Sequence, residues 1–374
     1  MNTIKHKYIK KLSIDNNLYL CVMCWDNDTR PKVNLNDWSG KLYFMEKLKL
    51  LEEVLIKNKN IVTTNENIHC YKCDEKYINQ FRYAYKGIMW EEGLRHYIEK
   101  HNIRPPSKFI RFILDNDPTI IKKCSGKKIK INGELRKTNK FVYAKIRANQ
   151  LMILDALMEH GGLIPKYKSR HNEDFKYSEH AGMLEFGRKQ LNRVIVVGKI
   201  NREQENDPEI FFPTFGRNAY KYKYIFHTHP PTPIPGGRYR EGILYEFPSS
   251  NDIYHFIDHY NNGNVQGSLV LTPEGLYNIR KNTFDNDKIR MSSKLEKYYN
   301  SAMNKLQKEK INKIPKNFDT NYFYSNIAQD TTLITKLNSI LSKFDMHIDY
   351  FPRQKMRNNE WIIGTIYLPL CTQV

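Results

Sequence analysis

The tetrapeptide His227-Thr228-His229-Pro230, at the end of an apolar run, constrains the fold of this chain most. Residues 222–229 have the pattern of a strand, and alternate residues of a strand point to the same face. The two imidazoles are therefore expected to lie side by side, where one metal ion can take both. A fold that uses this pair must also bring a third ligand to the end of the strand.

A helix predicted to begin at Ser249 supplies that third ligand. Serine is a preferred N-cap residue, and Asp252 follows within the first turn. Three protein ligands leave one position open for water, the arrangement of catalytic zinc sites. Water in such a site becomes a nucleophile near neutral pH, and a carboxylate must then accept its proton. Glu179 stands at the start of an apolar, glycine-containing segment and is the candidate for that task.

This ordered set of residues resembles the JAMM (MPN-plus) zinc metalloproteases, over about residues 175–282. The resemblance implies a deubiquitinase-like isopeptidase that hydrolyses ubiquitin or ubiquitin-like conjugates with a zinc-activated water. It also implies a mixed β-sheet flanked by helices, with JAMM/MPN-like, cytidine-deaminase-like layering. The implied roles are Glu179 as general base, Ser249 as the hydroxyl that helps to hold the oxyanion, and His227, His229 and Asp252 as ligands of a catalytic zinc.

Two features depart from the pattern of that family. Residues 230–248 separate the second histidine from Ser249, where the family has a short spacer. We interpret them as a loop insertion that acts as a lid or as part of a substrate rim. Glu185 stands where an apolar residue is expected, and Gly187 is one position late. This indicates either a β-bulge or a shifted register.

Each site residue also has an ordinary structural explanation. A single His-x-His on a strand is more often incidental than metal-binding, and an aspartate in the first turn of a helix is favoured by the helix dipole alone. Three further histidines, His180, His255 and His259, are rival ligands that we interpret as surface or core residues. The order of all five residues favours the metal site over these explanations.

A second group of metal-binding residue types precedes the first. Cys70 and Cys73 are followed by His96 and His101, with the spacing Cys-x2-Cys-x22-His-x4-His. Two thiolates at a turn and two histidines on a helix are typical of a closed structural zinc site. The spacing resembles that of a Cys2His2 zinc finger loosely, because the middle spacer is long. We therefore predict two zinc ions, one catalytic and one structural.

Cys21 and Cys24 form the rival cysteine pair. They lie in an apolar, strand-like run, where strand geometry would place their two thiols on opposite faces. We interpret both as core residues. A four-cysteine site that combines Cys21 and Cys24 with Cys70 and Cys73 is the alternative.

Local patterns predict an α+β fold with two parts. Apolar residues at helical spacing indicate helices, and glycine or proline between apolar runs indicates turns. The predicted elements are helices over 42–56 and 142–160, a hairpin over 268–280 and a C-terminal hairpin of 347–351 with 361–370. The predicted domains are 1–140, an N-terminal zinc-binding α+β module, and 141–374, a JAMM/MPN-like domain with a C-terminal helical and hairpin extension.

Charge gives the alternative function. The chain has 60 Lys and Arg against 40 Asp and Glu, a net charge of +20, and the basic residues are densest over 119–150. Such a stretch is a candidate nucleic-acid contact. The alternative is therefore a non-catalytic nucleic-acid-binding or assembly protein that uses the zinc finger and the basic stretch, with the MPN-like domain as scaffold.

Composition also bounds the location. The chain has no apolar run of 18 residues, and its N-terminus lacks the pattern of a signal peptide. We expect a soluble intracellular protein of the cytoplasm or nucleus, not secreted and with no membrane partner. The abundance of Lys, Asn, Ile and Tyr is typical of an AT-rich genome, such as that of a large DNA virus, and the cell is then an infected host.

Overall fold

The computed structural model shows a mixed α+β fold. It describes residues 9–14, 17–24, 38–73, 75, 78–118, 129–131, 134–136, 139–163, 165–168, 175–187, 189–197, 219, 221–231, 234–284, 287–290 and 293–373. The chain divides into two compact units, residues 1–119 with 355–360 and residues 120–354 with 361–374. The predicted domains, 1–140 and 141–374, stay a prediction.

The first unit is a five-stranded sheet with three described helices. Its strands have the order β1-β2-β5-β4-β3, in which β2 and β5 are parallel. The bounds are β1 Ile9–Ile14, β2 Asn17–Val22, α1 Lys41–Lys57, β3 Ile61–Ile68, β4 Asn79–Tyr85, β5 Ile88–Glu91, α2 Leu94–His101 and α3 Ser107–Asp115. The predicted helix over 42–56 thus agrees with α1, and apolar residues of α1 at helical spacing are buried.

A buried aromatic group forms much of the core of the first unit. The indole of Trp90 on β5 is fully buried, and it stacks on the Tyr83 ring at a centroid distance of 5.4 Å. Phe109 of α3 meets the same indole edge-on at 5.5 Å. The indole N–H donates to Glu52 Oε1 on α1 at 3.0 Å. An ionisable carboxyl therefore lies in an apolar core, where its Oε2 is 2.9 Å from Arg95 Nε.

The second unit is built on a six-stranded sheet. Its strand order is β12-β11-β13-β14-β15-β16, in which only the β13–β14 pair is parallel. The described elements are β6 Ile129–Ile131, β7 Glu134–Arg136, β8 Asn139–Ile146, α4 Ala148–Leu163, β9 Pro165–Lys168, β10 Phe175–Tyr177, β11 Ala181–Phe186, β12 Leu191–Val196, β13 Tyr224–Thr228, α5 Ser250–Asn262, β14 Gly267–Leu271, β15 Gly275–Lys281, α6 Ser293–Ile311, α7 Thr320–Tyr322, α8 Thr332–Leu341, β16 Met346–Pro352, β17 Gln354–Lys355, β18 Trp361–Ile362 and β19 Ile366–Gln373. Helix α5 forms the crossover that parallel pairing requires.

The β11 strand is bulged next to its partner. Its register against β12 shifts between Glu185 and Phe186, so the bulge is the correct interpretation of the departures at this strand. Gly182 is required here, because a Cβ at this position would overlap the carbonyl oxygen of Ile195 on β12 and the ring of Phe226 on β13. The glycine therefore lets three strands approach at the end of the sheet that leads to Glu179.

Two predicted elements are wrong. The helix predicted over 142–160 begins only at Ala148, because the preceding residues form β8. The predicted C-terminal hairpin of 347–351 with 361–370 does not form either. Instead, β16 pairs with β15 and β19 pairs with β8, both antiparallel. Long-range pairing decided both segments, whereas the hairpin predicted over 268–280 agrees with β14 and β15.

No helix among the described residues is long and apolar enough to cross a membrane.

The buried carboxyl of Glu52 predicts a pH-dependent stability. Burial raises the pKa of Glu52 to about 8, although the Trp90 indole and Arg95 act in the opposite direction. In the unfolded chain the group loses its proton near pH 4.5, so between pH 4.5 and 8 the free energy of unfolding falls as pH rises. Glu52→Gln has no carboxyl to titrate, so its free energy of unfolding lacks this fall. Relative to the wild type, the stability of the variant therefore rises by up to about 1.4 kcal/mol per pH unit.

Urea unfolding of both proteins at several pH values, followed by tryptophan fluorescence, measures this difference. Glu53→Gln is the control, since Glu53 is the next residue of the same helix and is 56% exposed. If the stabilities of Glu52→Gln and the wild type change in parallel with pH, Glu52 is charged in the core throughout.

Two candidate metal centres

His227, His229 and Asp252 meet at one point in the second unit. His227 lies in β13, and His229 follows its last residue, where its backbone N–H donates to the Leu271 carbonyl of β14 at 2.7 Å. The two Nε2 atoms are 3.2 Å apart. Asp252 Oδ1 is 2.9 Å from His227 Nε2, and its Oδ2 is 3.5 Å from His229 Nε2. One ion at about 2.0 to 2.2 Å from each atom fits between them.

Asp252 is oriented by the start of its own helix. Ser249 is the N-cap of α5, and its hydroxyl and backbone N–H donate to Asp252 Oδ2 at 2.8 and 2.6 Å. The backbone N–H of Asp252 lies 3.3 Å from Ser249 Oγ, which completes a capping box. The prediction that serine begins the helix is confirmed. Asp252 is thus fixed by its backbone, with its second oxygen facing His227.

His229 is oriented by a carbonyl from the 230–248 insertion. Its Nδ1–H donates to the backbone oxygen of Glu246 at 3.0 Å. This bond fixes a proton on Nδ1, so Nε2, which faces His227 and Asp252, is the nitrogen that would bind a metal. The insertion thus touches the site through its main chain.

The electrostatics of the group centre on the Asp252 carboxylate. Burial alone would raise the pKa of Asp252, but the charges of His227 and His229 hold it well below its usual range. Burial likewise lowers the pKa of His229, yet Asp252 outweighs it and, with Glu179 and Glu246, raises this pKa to about 10. The carboxylate therefore balances two imidazoles in a site that a divalent cation also suits.

Glu179 lies beside this group, in the three residues between β10 and β11. The Ser178 N–H donates to the Gly161 carbonyl at 3.1 Å. His180 is joined to Thr228 twice, through its backbone N–H to Oγ1 and through its carbonyl to the Thr228 N–H, each at 2.9 Å. Glu179 is thereby fixed next to the histidine strand, half-buried, with its charge acting on His229.

The rival histidines stand outside the ligand group. The ligand atoms of His227, His229 and Asp252 lie within 4.8 Å of one another. This group includes no atom of His180, His255 or His259. His180 Nε2 is instead 3.0 Å from His160 Nδ1, and His259 Nδ1 donates to the His255 carbonyl at 2.8 Å.

Cys70, Cys73, His96 and His101 meet in the first unit. Their ligand atoms also lie within 4.8 Å of one another. Cys70 Sγ is 3.1 Å from His101 Nε2, Cys73 Sγ is 3.3 Å from His96 Nε2, and the two Nε2 atoms are 3.3 Å apart. The Lys72 N–H donates to Cys70 Sγ at 3.3 Å, which stabilises charge on that sulfur.

The two histidines of this group lie on α2, five residues apart. Burial is the main cause that lowers the pKa of both His96 and His101, so both imidazoles favour the neutral form that binds metals. The helix ends at Asn102, whose left-handed conformation (φ 49°) turns the chain away directly after His101.

Cys21 and Cys24 do not join this group. They form a disulfide with each other, so the interpretation that their thiols lie on opposite faces is wrong. Strand β2 ends at Val22, and Met23 has a φ of 60°, which turns the chain and brings the two sulfurs together. Both side chains are buried, as predicted. The four-cysteine alternative therefore has no support among the described residues.

The two donor sets are compatible with zinc in different ways. Two nitrogens and one carboxylate leave a coordination position open, as in catalytic sites, and two sulfurs with two nitrogens close the tetrahedron, as in structural sites.

Several supporting groups escaped sequence reasoning. The Glu246 carbonyl is a main-chain group, so no residue type reports it. The helix predicted to end at residue 160 continues in α4 to Leu163, and a Cβ at Gly161 would overlap the Ser178 carbonyl. Arg353 was also missed. It binds Asp155 of α4 with both terminal nitrogens, at 2.5 and 2.6 Å, and donates to the Pro273 carbonyl at 2.6 Å. It therefore holds the β14–β15 turn.

Of the basic stretch 119–150, residues 119–128, 132–133 and 137–138 lie outside the described residues. The nucleic-acid contact stays a prediction.

The fold and the two ligand groups define a mixed α+β protein with two candidate metal centres. Among known proteins, the chain is similar to the uncharacterized protein R413 of Acanthamoeba polyphaga mimivirus, with 33% identity over 341 residues. The alignment covers 87% of this chain and 93% of the viral protein, and the chain belongs to the family of that protein. No family model and no solved structure matches the chain.

We expect each ligand group to bind one zinc ion. Elemental analysis of the zinc-loaded protein should give two zinc ions per chain, falling to one in His227→Ala/His229→Ala and to one in Cys70→Ser/Cys73→Ser. The cysteine variant should also lower the thermal stability of the first unit, because a structural zinc contributes directly to folding.

His255→Ala is the control for the first variant, since it removes a nearby histidine outside the ligand group. A wild type that retains fewer than two zinc ions, or a His227→Ala/His229→Ala variant that retains both, contradicts the assignment of ligands.

Proposed function

We propose that this protein is a zinc-dependent isopeptidase of the JAMM (MPN-plus) type. The observation that carries the proposal is the convergence of His227, His229 and Asp252 within hydrogen-bonding distance, with the Glu179 charge beside them. These are the residues that the resemblance places in the ligand and base roles. Zinc in this site would supply a water that is nucleophilic at neutral pH.

The order of the sheet supports the JAMM/MPN-like layering. Glu179 precedes β11, the histidines end β13, and Asp252 begins the helix that crosses from β13 to β14. Parallel pairing of β13 and β14 brings the end of the one strand and the start of its crossover helix to the same edge of the sheet. Four site residues therefore meet at one edge of the sheet, where residues 230–248 return the chain from His229 to Ser249.

Glu179 would move the proton in hydrolysis. Its carboxylate accepts a proton from the attacking water and donates it to the lysine amine as the isopeptide C–N bond breaks. The backbone bonds of Ser178 and His180 on either side hold it beside the histidine strand. A fixed base of this kind loses little entropy when the substrate binds.

Ser249 has two tasks in this proposal. Its hydroxyl donates to Asp252 Oδ2 in the described structure and so orients a ligand. During hydrolysis the same hydroxyl would donate to the oxyanion that develops on the scissile carbonyl. The neighbouring backbone N–H keeps its bond to Asp252, so the ligand stays oriented when the hydroxyl turns.

The partners of the proposed enzyme follow from the resemblance. Ubiquitin or ubiquitin-like conjugates would be its substrates, and the Cys70–His101 group would hold a structural zinc in the first unit. The viral relative suits activity in an infected host cell.

Glu179→Gln tests the catalytic part of the proposal. The amide keeps the size of the side chain but accepts no proton, so we expect cleavage of ubiquitin chains to fall about 10²- to 10⁴-fold while zinc content is unchanged. Cleavage is followed by gel and by fluorescence of a labelled isopeptide substrate.

Glu185→Gln is the matched control, because Glu185 lies in the adjoining strand and pairs with Arg193 on the surface. Full activity in Glu179→Gln would rule out its role as base. If the wild type cuts nothing but binds nucleic acid with strong salt dependence, the scaffold alternative is correct.

Ser249→Ala separates the oxyanion task from the cap. Loss of an N-cap costs about 1 kcal/mol of stability, and loss of an oxyanion donor lowers kcat about 10²- to 10³-fold. Asp319→Ala is the control, since Asp319 caps α7 through the Tyr322 N–H at 2.7 Å. If kcat is equal in Ser249→Ala and Asp319→Ala, Ser249 only caps its helix and does not stabilise the oxyanion.

A further inference from the structure

We infer that residues 234–248 of the insertion are a fixed support for the site of His227, His229 and Asp252, and that helix α6 holds them in place. Gln307 and Tyr299 of α6 are then positioning residues for that site. The inference rests on the proposed metal site, and it replaces the interpretation of the insertion as a lid.

The insertion touches the site at two points. The carbonyl of Glu246 accepts the Nδ1–H of His229, and Pro248 leads directly into Ser249, the residue that orients Asp252. Whatever holds residues 244–248 therefore sets the orientation of two of the three ligands.

Helix α6 holds that part of the insertion through buried polar side chains. Gln307 Oε1 accepts the N–H groups of Leu244 at 2.6 Å and Tyr245 at 3.0 Å, and its Nε2 donates to the Tyr245 carbonyl at 3.3 Å. Gln307 is only 5% exposed. The Tyr299 hydroxyl is fully buried and donates to the Pro248 carbonyl at 2.7 Å.

The packing is that of a core and not of a movable cover. The Tyr245 and Phe247 rings stack at 4.8 Å, and Phe247 meets Tyr277 of β15 at 5.5 Å. Leu244, Tyr245 and Phe247 are all buried. Opening the insertion would expose these side chains and leave the polar atoms of Gln307 unpaired.

The first half of the insertion is also docked. Gly236 has a φ of 70°, and a Cβ there would stand 2.9 to 3.0 Å from the rings of Phe323 and Phe318. The Tyr239 hydroxyl donates to the Lys316 carbonyl. Residues 316–323, after α6, therefore contact the insertion at a second place.

The experiment measures zinc affinity in the full chain, by competition with a chromophoric chelator. Gln307→Met keeps the length of the side chain but removes all three hydrogen bonds. We expect it to weaken zinc binding at the His227 site about tenfold, the lower end of the effect of losing an outer-shell partner. Gln307→Glu still accepts from Leu244 and Tyr245, and it should recover part of that loss.

Two controls match these changes in chemistry, but their side chains bond to the backbone of β19 and not to the insertion. Gln266 exchanges two hydrogen bonds with the Cys371 backbone, at 2.7 and 2.9 Å. Tyr224 donates to the Pro369 carbonyl at 2.6 Å and is fully buried, as Tyr299 is. Gln266→Met and Tyr224→Phe should bind zinc like the wild type, whereas Tyr299→Phe should bind it more weakly. The absorption bands of bound Co²⁺ should shift in Tyr299→Phe and not in Tyr224→Phe.

The outcomes separate the inference from the proposed function. Unchanged zinc affinity and Co²⁺ spectra in Gln307→Met and Tyr299→Phe overturn the inference. If Gln307→Met does not fold by circular dichroism, Tyr299→Phe decides alone. If the wild type binds no zinc at the His227 site, both the inference and the proposed function are wrong. If the two variants bind zinc more weakly but the wild type cleaves no conjugate, the inference about the insertion holds and the proposed peptidase activity is wrong.

Discussion

The contacts of one buried carboxylate, that of Asp252, are the interaction on which the geometry of the His227, His229 and Asp252 site depends. This carboxylate receives two hydrogen bonds from Ser249 and faces two imidazoles in a part of the protein from which water is largely excluded. A buried charge without partners is costly, so the helix start, the strand end and the histidines must all be in place together. The same requirement makes the group suitable for a cation, because the negative charge is already fixed and desolvated.

The sequence was sufficient to predict which residues lie together in the two candidate metal centres. Cysteine, histidine and aspartate carry their chemistry in their side chains, and their spacing relative to a strand or a helix start determines which way they point. His227, His229 and Asp252 are brought together, and so are Cys70 and Cys73 with their two histidines. A capping serine three residues before an aspartate is likewise a local pattern, and α5 begins where it predicts.

What could not be predicted depends on contacts between distant segments. Glu246 contacts His229 through its main-chain carbonyl, which every residue type has. The Gln307 side chain bonds to Leu244 and Tyr245, which are distant in the sequence, so no local pattern predicts this contact. Residues 142–146 carry both helical and alternating patterns, and only their pairing with β19 decides for a strand. Long-range pairing also decides the place of β16. The sequence predicts a hairpin there, but β16 pairs with β15 at the edge of the sheet.

The pairing of β8 with β19 also bears on how the chain is made. Strand β19 lies far along the chain from β8, and a ribosome adds about 5 to 20 residues per second, so β8 waits roughly 10 to 40 s for its partner. During that time its row of backbone N–H and C=O groups is exposed to other nascent chains. Synthesis of this protein is therefore expected to depend on chaperones that shield an unpaired strand until its partner has been translated.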